Sequence, residues 1–331
     1  MALFGRKNGG GAAAAEKTKI FFVSDIHGST ICFKKFINAA SFYGADALIL
    51  GGDVTGKMVV PIARQANGHY LTQFAGTEHR FESESDLKAF VKRTEDMGFY
   101  PAVMDEEEFQ QTKGSGDAQD ALFRRLVEER LRQWIAYADE KLAGSDVPVY
   151  AAPGNDDFHE VDDILASSER IRLIEMQVVP LAGRYKIITS GWSNPTPWDT
   201  DRECSEEDLA ERLQSMIEQV EDFDHCIFNL HVPPHDATID LCPKLDDQMQ
   251  VVYDLGNPVM APAGSTAVRA AIERHQPLLG LHGHIHEGRG EARIGRTVCL
   301  NPGSVYSEGV LNGLLVTLEG PRVRDFHFTQ G

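Results

Sequence analysis

Five apolar runs of this chain each break off at a side chain that can lend a lone pair to a cation. Residues 19–23 lead into Asp25 and His27, residues 47–50 into Asp53, and residues 147–152 into Asn155. Residues 225–230 lead into His231, and residues 277–281 into His284 and His286. Carboxylate, imidazole and amide oxygen form a borderline donor set suited to Mn2+, Fe, Zn2+ or Ni2+. Seven such donors exceed what one tetrahedral ion takes. Two divalent ions sharing a bridging carboxylate, with positions left for water, would use them all. Singly, Asp-x-His and Gly-Asp are common patterns; their ordered recurrence at strand ends is what makes the set specific.

Chemistry spread over five strand ends needs a sheet rim to gather it. Residues 19–23 and 47–50 read as buried strands, joined by a helix capped at Ser29 that carries Ile31, Phe33, Phe36 and Ile37 at helical spacing. That pattern is a β-α-β unit. Residues 57–116 then interrupt the core as an inserted cap or rim. They hold a hairpin about Asn67-Gly68, a capped helix over 83–97, a polar acidic stretch at 105–113 and a flexible link at Gly114-Ser115-Gly116. Residues 117–142 form a long amphipathic helix whose stripe faces a core. Strands are expected at 147–152, 186–189, 225–230, 277–281, 297–300, 314–318 and 323–328, with helices over 205–220 and 265–275. The whole is a layered α/β sandwich with several strand ends on one rim.

The composition sets bounds on partners. With 331 residues, 42% hydrophobic and 25% charged, the chain is ordinary for a globular protein. Lys+Arg is 32 against Asp+Glu 50, a net charge of −18, which disfavours nucleic acid and anionic membranes. Five scattered cysteines without a C-x-x-C pair read as reduced thiols in a cytoplasmic protein. No run is long enough to span a bilayer. Residues 1–17 read as a flexible tail, because their apolar stretch is too short for a secretion signal. A homo-oligomer is compatible with this composition.

The motifs Asp25-Ile26-His27, Gly52-Asp53, Gly154-Asn155-Asp156-Asp157, His231 and Gly283-His284-Ile285-His286 resemble the pattern of the calcineurin-like metallophosphoesterases. The likeness spans about residues 18–56 and 147–331. Asn301-Pro302-Gly303-Ser304 and the run at 231–234 are similar to the Icc-related branch of predicted phosphoesterases. This resemblance implies a four-layer α/β/β/α sandwich with residues 18–331 as one domain and the cap inserted. It also implies two divalent ions, with Mn2+ favoured: Asp25, His27 and His286 at one, Asn155, His231 and His284 at the other, and Asp53 bridging. The implied reaction is in-line attack on phosphorus by a bridging hydroxide, with a small phosphorylated substrate, a phosphodiester or nucleotide-type pyrophosphate, as the partner. A phosphomonoesterase or protein phosphatase, and a non-catalytic scaffold, are the alternatives.

Asp156 departs from the family pattern, which has a histidine there to stabilise charge or protonate the leaving group. A carboxylate does neither well at its ordinary pKa. Asp156 therefore orients His27 or another ligand, or the substrates have good leaving groups, or the proton comes from elsewhere, such as His159, His235 or the cap histidines His69 and His79. Asp156, Asn155 and His231 are the candidates for the catalytic step. Arg269 near the start of helix 265–275, Asn194 and Trp198 are candidate substrate contacts, with Trp192 in the same stiff aromatic loop. His282 reads as a strand-end bystander. Residues 51–57 fail the phosphate-loop spacing, because Met58 follows Lys57.

Overall fold

The structure is a computed structural model that describes residues 17–331. Strand β1 (Lys17–Val23), helix α1 (Thr30–Tyr43) and strand β2 (Ala47–Leu50) make the expected unit, with the two strands parallel. Lys17, the last residue of the expected tail, is already paired with Glu319; the rest of that tail lies outside the described residues. The Ser29 side chain accepts from the Cys32 amide to start α1, and Gly44 ends it in the left-handed conformation.

The inserted segment is a small α/β layer: β3 (Val59–Arg64), β4 (Tyr70–Phe74), β5 (Thr77–Phe81), α2 (Glu84–Asp96), β6 (Tyr100–Asp105) and α3 (Glu106–Lys113). Its four strands lie in the order β5-β4-β3-β6. Two elements here differ from the sequence reading. The polar stretch 105–113 is the end of β6 followed by α3, a helix with no buried residue. Asp105 caps it through the Glu108 amide (2.8 Å), and three glutamates in its first turn suit the helix dipole. The expected flexible link is a tight junction, since Ser115 caps α4 (Gly116–Lys141). Leu122 of α4 packs with Ala102 and Met104 of β6, while its Val127, Leu131 and Trp134 pack in the main core. One helix thereby ties the cap to the core.

The chain continues through β7 (Val149–Ala151), α5 (Val161–Ala166), β8 (Ile171–Leu173), β9 (Gln177–Leu181), β10 (Tyr185–Ser190), α6 (Glu206–Ile217) and β11 (Cys226–Leu230). An arm of short strands follows, β12 (Leu241–Pro243), β13 (Tyr253–Asp254), β14 (Asn257–Pro258) and β15 (Met260–Pro262). After it come α7 (Thr266–His275), β16 (Leu279–Leu281), β17 (Gly290–Ile294), β18 (Thr297–Asn301), β19 (Asn312–Glu319) and β20 (Val323–Gln330).

Two six-stranded sheets result, ordered β20-β19-β1-β2-β7-β8 and β17-β18-β16-β11-β10-β9. Alternation along the strands sorts their side chains into layers. Ile20, Phe22, Ala47 and Ile49 meet Ile187, Ile227, Leu279 and Leu300 between the sheets. Phe21, Val23, Leu48 and Leu50 turn outward onto α1, α4 and α5. On the far side Ile188, Phe228 and Leu230 turn onto α6 and α7. The four layers are therefore helix, sheet, sheet, helix, and apolar burial on both faces of both sheets explains the unbroken apolar runs. In each sheet the inner strands are mostly parallel, so β1, β2, β7, β11 and β16 deliver their following loops to one rim.

Candidate metal centre

The backbone ladder carries on past the strand ends and holds the rim loops in register. Asp25 N–H donates to Gly52 O and His27 N–H to Asp53 O, both at 3.0 Å, and Gly283 N–H donates to His231 O at 2.9 Å. Four of the expected ligands take positive φ at these turns: Asp25 (55°), His27 (38°), Asp53 (49°) and His284 (65°). Each such conformation costs about 1–3 kcal/mol outside glycine. The sheets beneath impose it, and it swings the side chains inward. Two glycines make room. A Cβ on Gly154 would overlap the Asp53 carboxylate, and one on Gly283 would overlap Ser24 and Asp25.

Asp25, His27, Asp53 and His286 converge so closely that one ligand atom from each lies within 4.8 Å of the others. His27 Nε2 is 3.1 Å from His286 Nε2 and 3.4 Å from Asp53 Oδ2. The other Asp53 oxygen, Oδ1, is 3.4 Å from His231 Nε2. Asp53 thus turns one oxygen to His27 and one to His231, which is the disposition a bridging carboxylate needs. His231 and His284 lie with ring centroids 5.4 Å apart, and His284 Nδ1 is 2.7 Å from Asn155 Oδ1. The structure brings all seven expected donors to one place.

These donors fit divalent cations. His231 Nε2 is buried, has no hydrogen-bond partner, and lies 3.8 Å from Asp25 Oδ1 as well as close to Asp53. Its other nitrogen meets Gly51 O at 3.2 Å, which fixes the ring and leaves Nε2 for a ligand. Burial pushes His284 down to about 3 and His27 well below the usual imidazole range, so both stay neutral lone-pair donors. Burial also opposes ionisation of Asp53, but His231 and His27 outweigh it and hold the carboxyl well below its ordinary value. His231 is pushed up to about 9, burial being outweighed by Asp53 and Asp25. Burial raises the Asp25 carboxyl above its ordinary value, against the pull of His231 and His286, so holding both Asp25 and Asp53 ionised calls for a positive charge beside them, which a metal ion supplies.

The surrounding groups were not legible as such in the sequence. Asn155 Nδ2 donates to Thr200 Oγ1 (2.8 Å), and Thr200 Oγ1 donates to Glu203 Oε1 (2.6 Å). That chain turns the amide oxygen of Asn155 toward His284. Ser304 Oγ donates to Asp25 O at 2.6 Å, joining the tight loop after β18 to the first motif. Asp157 is buried and accepts from the Val54, Thr55 and Gly154 amides and from Thr55 Oγ1, at 2.6–2.8 Å. Asp156 N–H donates to Asp53 Oδ1 at 3.1 Å. The Asp156 carboxylate lies 3.9 Å from His27 Nδ1, a buried nitrogen without a partner, and forms an ion pair with Lys57. Tyr306 stands beside His27 and His286, with ring centroids 4.7 and 5.9 Å away.

The remaining candidates lie in other surroundings. Arg269 donates to the carbonyls of His235 (3.1 Å) and Asp236 (3.0 Å) and to Glu273. The N-terminus of α7 is filled from within, because Glu206 accepts from Ser265 Oγ and from the Thr266 and Ala267 amides. Asn194 Nδ2 donates to Ala263 O at 3.4 Å, and Trp198 is 66% exposed. Arg212 stacks on Trp192 at 3.8 Å. Of the histidines offered as proton sources, His159 packs on Trp192, His69 meets Arg80 in the cap, His79 lies among Phe74, Phe81 and Phe90, and His235 faces Asp240. His282 is buried, with Nδ1 2.7 Å from Leu230 O, and burial drives it down to about 4.

Fold and rim together define a four-layer α/β/β/α sandwich with a group of buried Asp, His and Asn donors at one rim. The same architecture occurs in TT1561 of Thermus thermophilus, which aligns with a TM-score of 0.52 over 96% of this chain and 99% of its own at 16% identity. No family model matches the chain. It is 32% identical over 168 residues to the uncharacterized protein MJ1162 of Methanocaldococcus jannaschii, a stretch covering 49% of this chain and 68% of that protein. The chain belongs to the family of MJ1162. A novel archaeal phosphodiesterase aligns over 95% of this chain at 10% identity with a TM-score of 0.37, a likeness too weak to carry an argument.

Proposed function

We propose that this protein is a metal-dependent phosphoester hydrolase that uses two divalent transition-metal ions, with Mn2+ favoured, on a phosphodiester or nucleotide-type pyrophosphate. One observation carries the reading: Asp53 faces His27 with one oxygen and His231 with the other, at 3.4 Å each, inside a group of buried donors. Asp25, His27 and His286 would hold one ion and Asn155, His231 and His284 the other. When bound, such a pair supplies Lewis acidity toward phosphoryl oxygens and an activated water. The Thr200–Asn155 bond orients one ligand and Gly51 O orients His231, while the Asp156 carboxylate stands 3.9 Å from His27 Nδ1, beyond hydrogen-bond reach.

The diester preference follows from charge. Asp156 offsets part of the charge of Lys57, so this side of the site offers one partly neutralised cation, which suits the single negative charge of a diester better than the two of a monoester. Among the described residues no helix is long and apolar enough to cross a membrane. The five unpaired cysteines support a reducing compartment, the cytoplasm.

Metal analysis of protein loaded with Mn2+ is expected to find close to two ions per chain. A panel of bis-p-nitrophenyl phosphate, p-nitrophenyl phosphate, cyclic nucleotides and nucleoside diphosphates is expected to show turnover of diesters or pyrophosphates first. His231→Ala is expected to abolish that turnover in a folded protein. Loaded protein inert toward the whole panel would refute the hydrolase reading, and a clear monoester preference would refute its diester part.

A further inference from the structure

Lys57 is the first residue of the inserted cap, and its place is built by the backbone and side chains around it. The backbone just before it is clamped: Asp157 takes the Val54 and Thr55 amides at 2.8 Å each, and Gly56 N–H donates to Tyr100 Oη at 2.9 Å. Gly56 lies so close to Gly98 O that no side chain fits there. Tyr100 belongs to β6 and is fully buried, and Arg130 of α4 stacks on it at 5.0 Å while donating to Gly28 O at 2.8 Å. Core and cap therefore fix the Cα of Lys57 from both sides.

From that anchor the side chain reaches inward to pair with Asp156. Asp156 in turn lies 3.9 Å from His27 Nδ1, and its amide donates to Asp53 Oδ1 at 3.1 Å, so the ion pair stands beside two of the expected ligands. The Lys57 side chain is half exposed, whereas that of Asp156 is 13% exposed. The ammonium thus sits at the mouth of the metal centre, between the ligands and solvent. It has three donors and no acceptor, and Asp156 accounts for one of them.

We infer that Lys57 is the anion-binding residue of the site, contacting a non-bridging oxygen of the substrate's phosphoryl group from the cap side, with Asp156 as its positioning residue. This rests on the phosphoester reading and assigns to the Lys57–Asp156 pair the charge-balancing place where the family pattern carries histidine. A charge-assisted hydrogen bond to an oxyanion is worth a factor of roughly 10–100.

The test uses the full-length, Mn2+-loaded protein and the variants Lys57→Met, Lys57→Arg and Asp156→Asn, with inorganic phosphate as the binding probe. Lys57→Met is expected to keep the wild-type metal content, weaken phosphate binding measured by calorimetry about tenfold, and lower kcat/KM for the best ester by about 10–100-fold. Lys57→Arg is expected to restore phosphate affinity to within about threefold. Asp156→Asn is expected to raise KM while leaving metal content unchanged, which a purely structural role would not do. Phosphate affinity within about twofold of wild type in Lys57→Met overturns the inference, whatever the esterase assay shows. Wild-type protein that binds phosphate through Lys57 but turns over no ester upholds this contact and overturns the hydrolase reading instead.

Discussion

Glu175, beneath the rim, offers a sharp test of how the two sheets are joined. Its Oε2 accepts from the Gly191 amide at 2.8 Å, while its buried Oε1 has no partner. Burial raises the carboxyl from 4.5 to about 8, against the opposing pull of Arg202 and the Gly191 amide. A carboxyl raised on folding binds its proton more tightly in the native state. The fold therefore loses nothing from this group below pH 4.5, and it loses stability as pH climbs from there to about 8. At 1.36 kcal/mol per unit the cost is under about 1 kcal/mol at pH 5 and about 4 kcal/mol at pH 7.5. Glu175→Gln keeps the shape and removes the titration. Relative to wild type, its stability is expected to rise by about 3 kcal/mol between pH 5 and pH 7.5. Urea unfolding with excess chelator, run on both proteins at both pH values, reads this double difference and cancels titration of the histidines. A difference under about 0.5 kcal/mol, or one of opposite sign, would show that Glu175 is solvated or ion-paired and that the join between β8 and β10 is not dry.

Three further outcomes follow from the same geometry. Thr200→Val frees the Asn155 amide to rotate, and metal affinity measured by chelator competition is expected to fall about 10–100-fold with little change in melting temperature. Gly283→Ala sets a methyl against Ser24 and Asp25, and the expected result is loss of at least one ion per chain by metal analysis. Arg202, 2% exposed, bonds Asp162 at 2.7 Å and Asp157 O at 2.8 Å; Arg202→Met is expected to cost on the order of 3 kcal/mol in urea unfolding, and an unchanged midpoint would refute that role.

The layered core was legible because burial on both faces leaves a plain mark. Ala47–Leu50 is buried at every position, and so is Cys226–Leu230; short unbroken apolar runs of that kind suit a strand covered by a layer on each side. Elements that bury little left no such mark. β5, with the sequence Thr-Glu-His-Arg-Phe, buries one residue, and α3 buries none. Both are held by neighbours or by a cap, so periodicity was silent about them. The arm from Leu241 to Pro262 is likewise made of two- and three-residue strands that carry no apolar pattern of their own.

The seven candidate donors were legible in the sequence alone. A side chain that follows a buried parallel strand has nowhere to go but the rim, so residue type and order were enough to name Asp25, His27, Asp53, Asn155, His231, His284 and His286. What surrounds them was decided by tertiary structure, because it depends on which distant groups arrive at the same point. Glu206 fills the helix N-terminus that made Arg269 look like a phosphate contact. Lys57, set aside as a failed phosphate loop, is carried to the metal centre because Asp157, far downstream in the third motif, and Tyr100 in the cap pin the turn before it. Local spacing tells which side chains can do chemistry; only packing between remote segments determines which cation stands beside them.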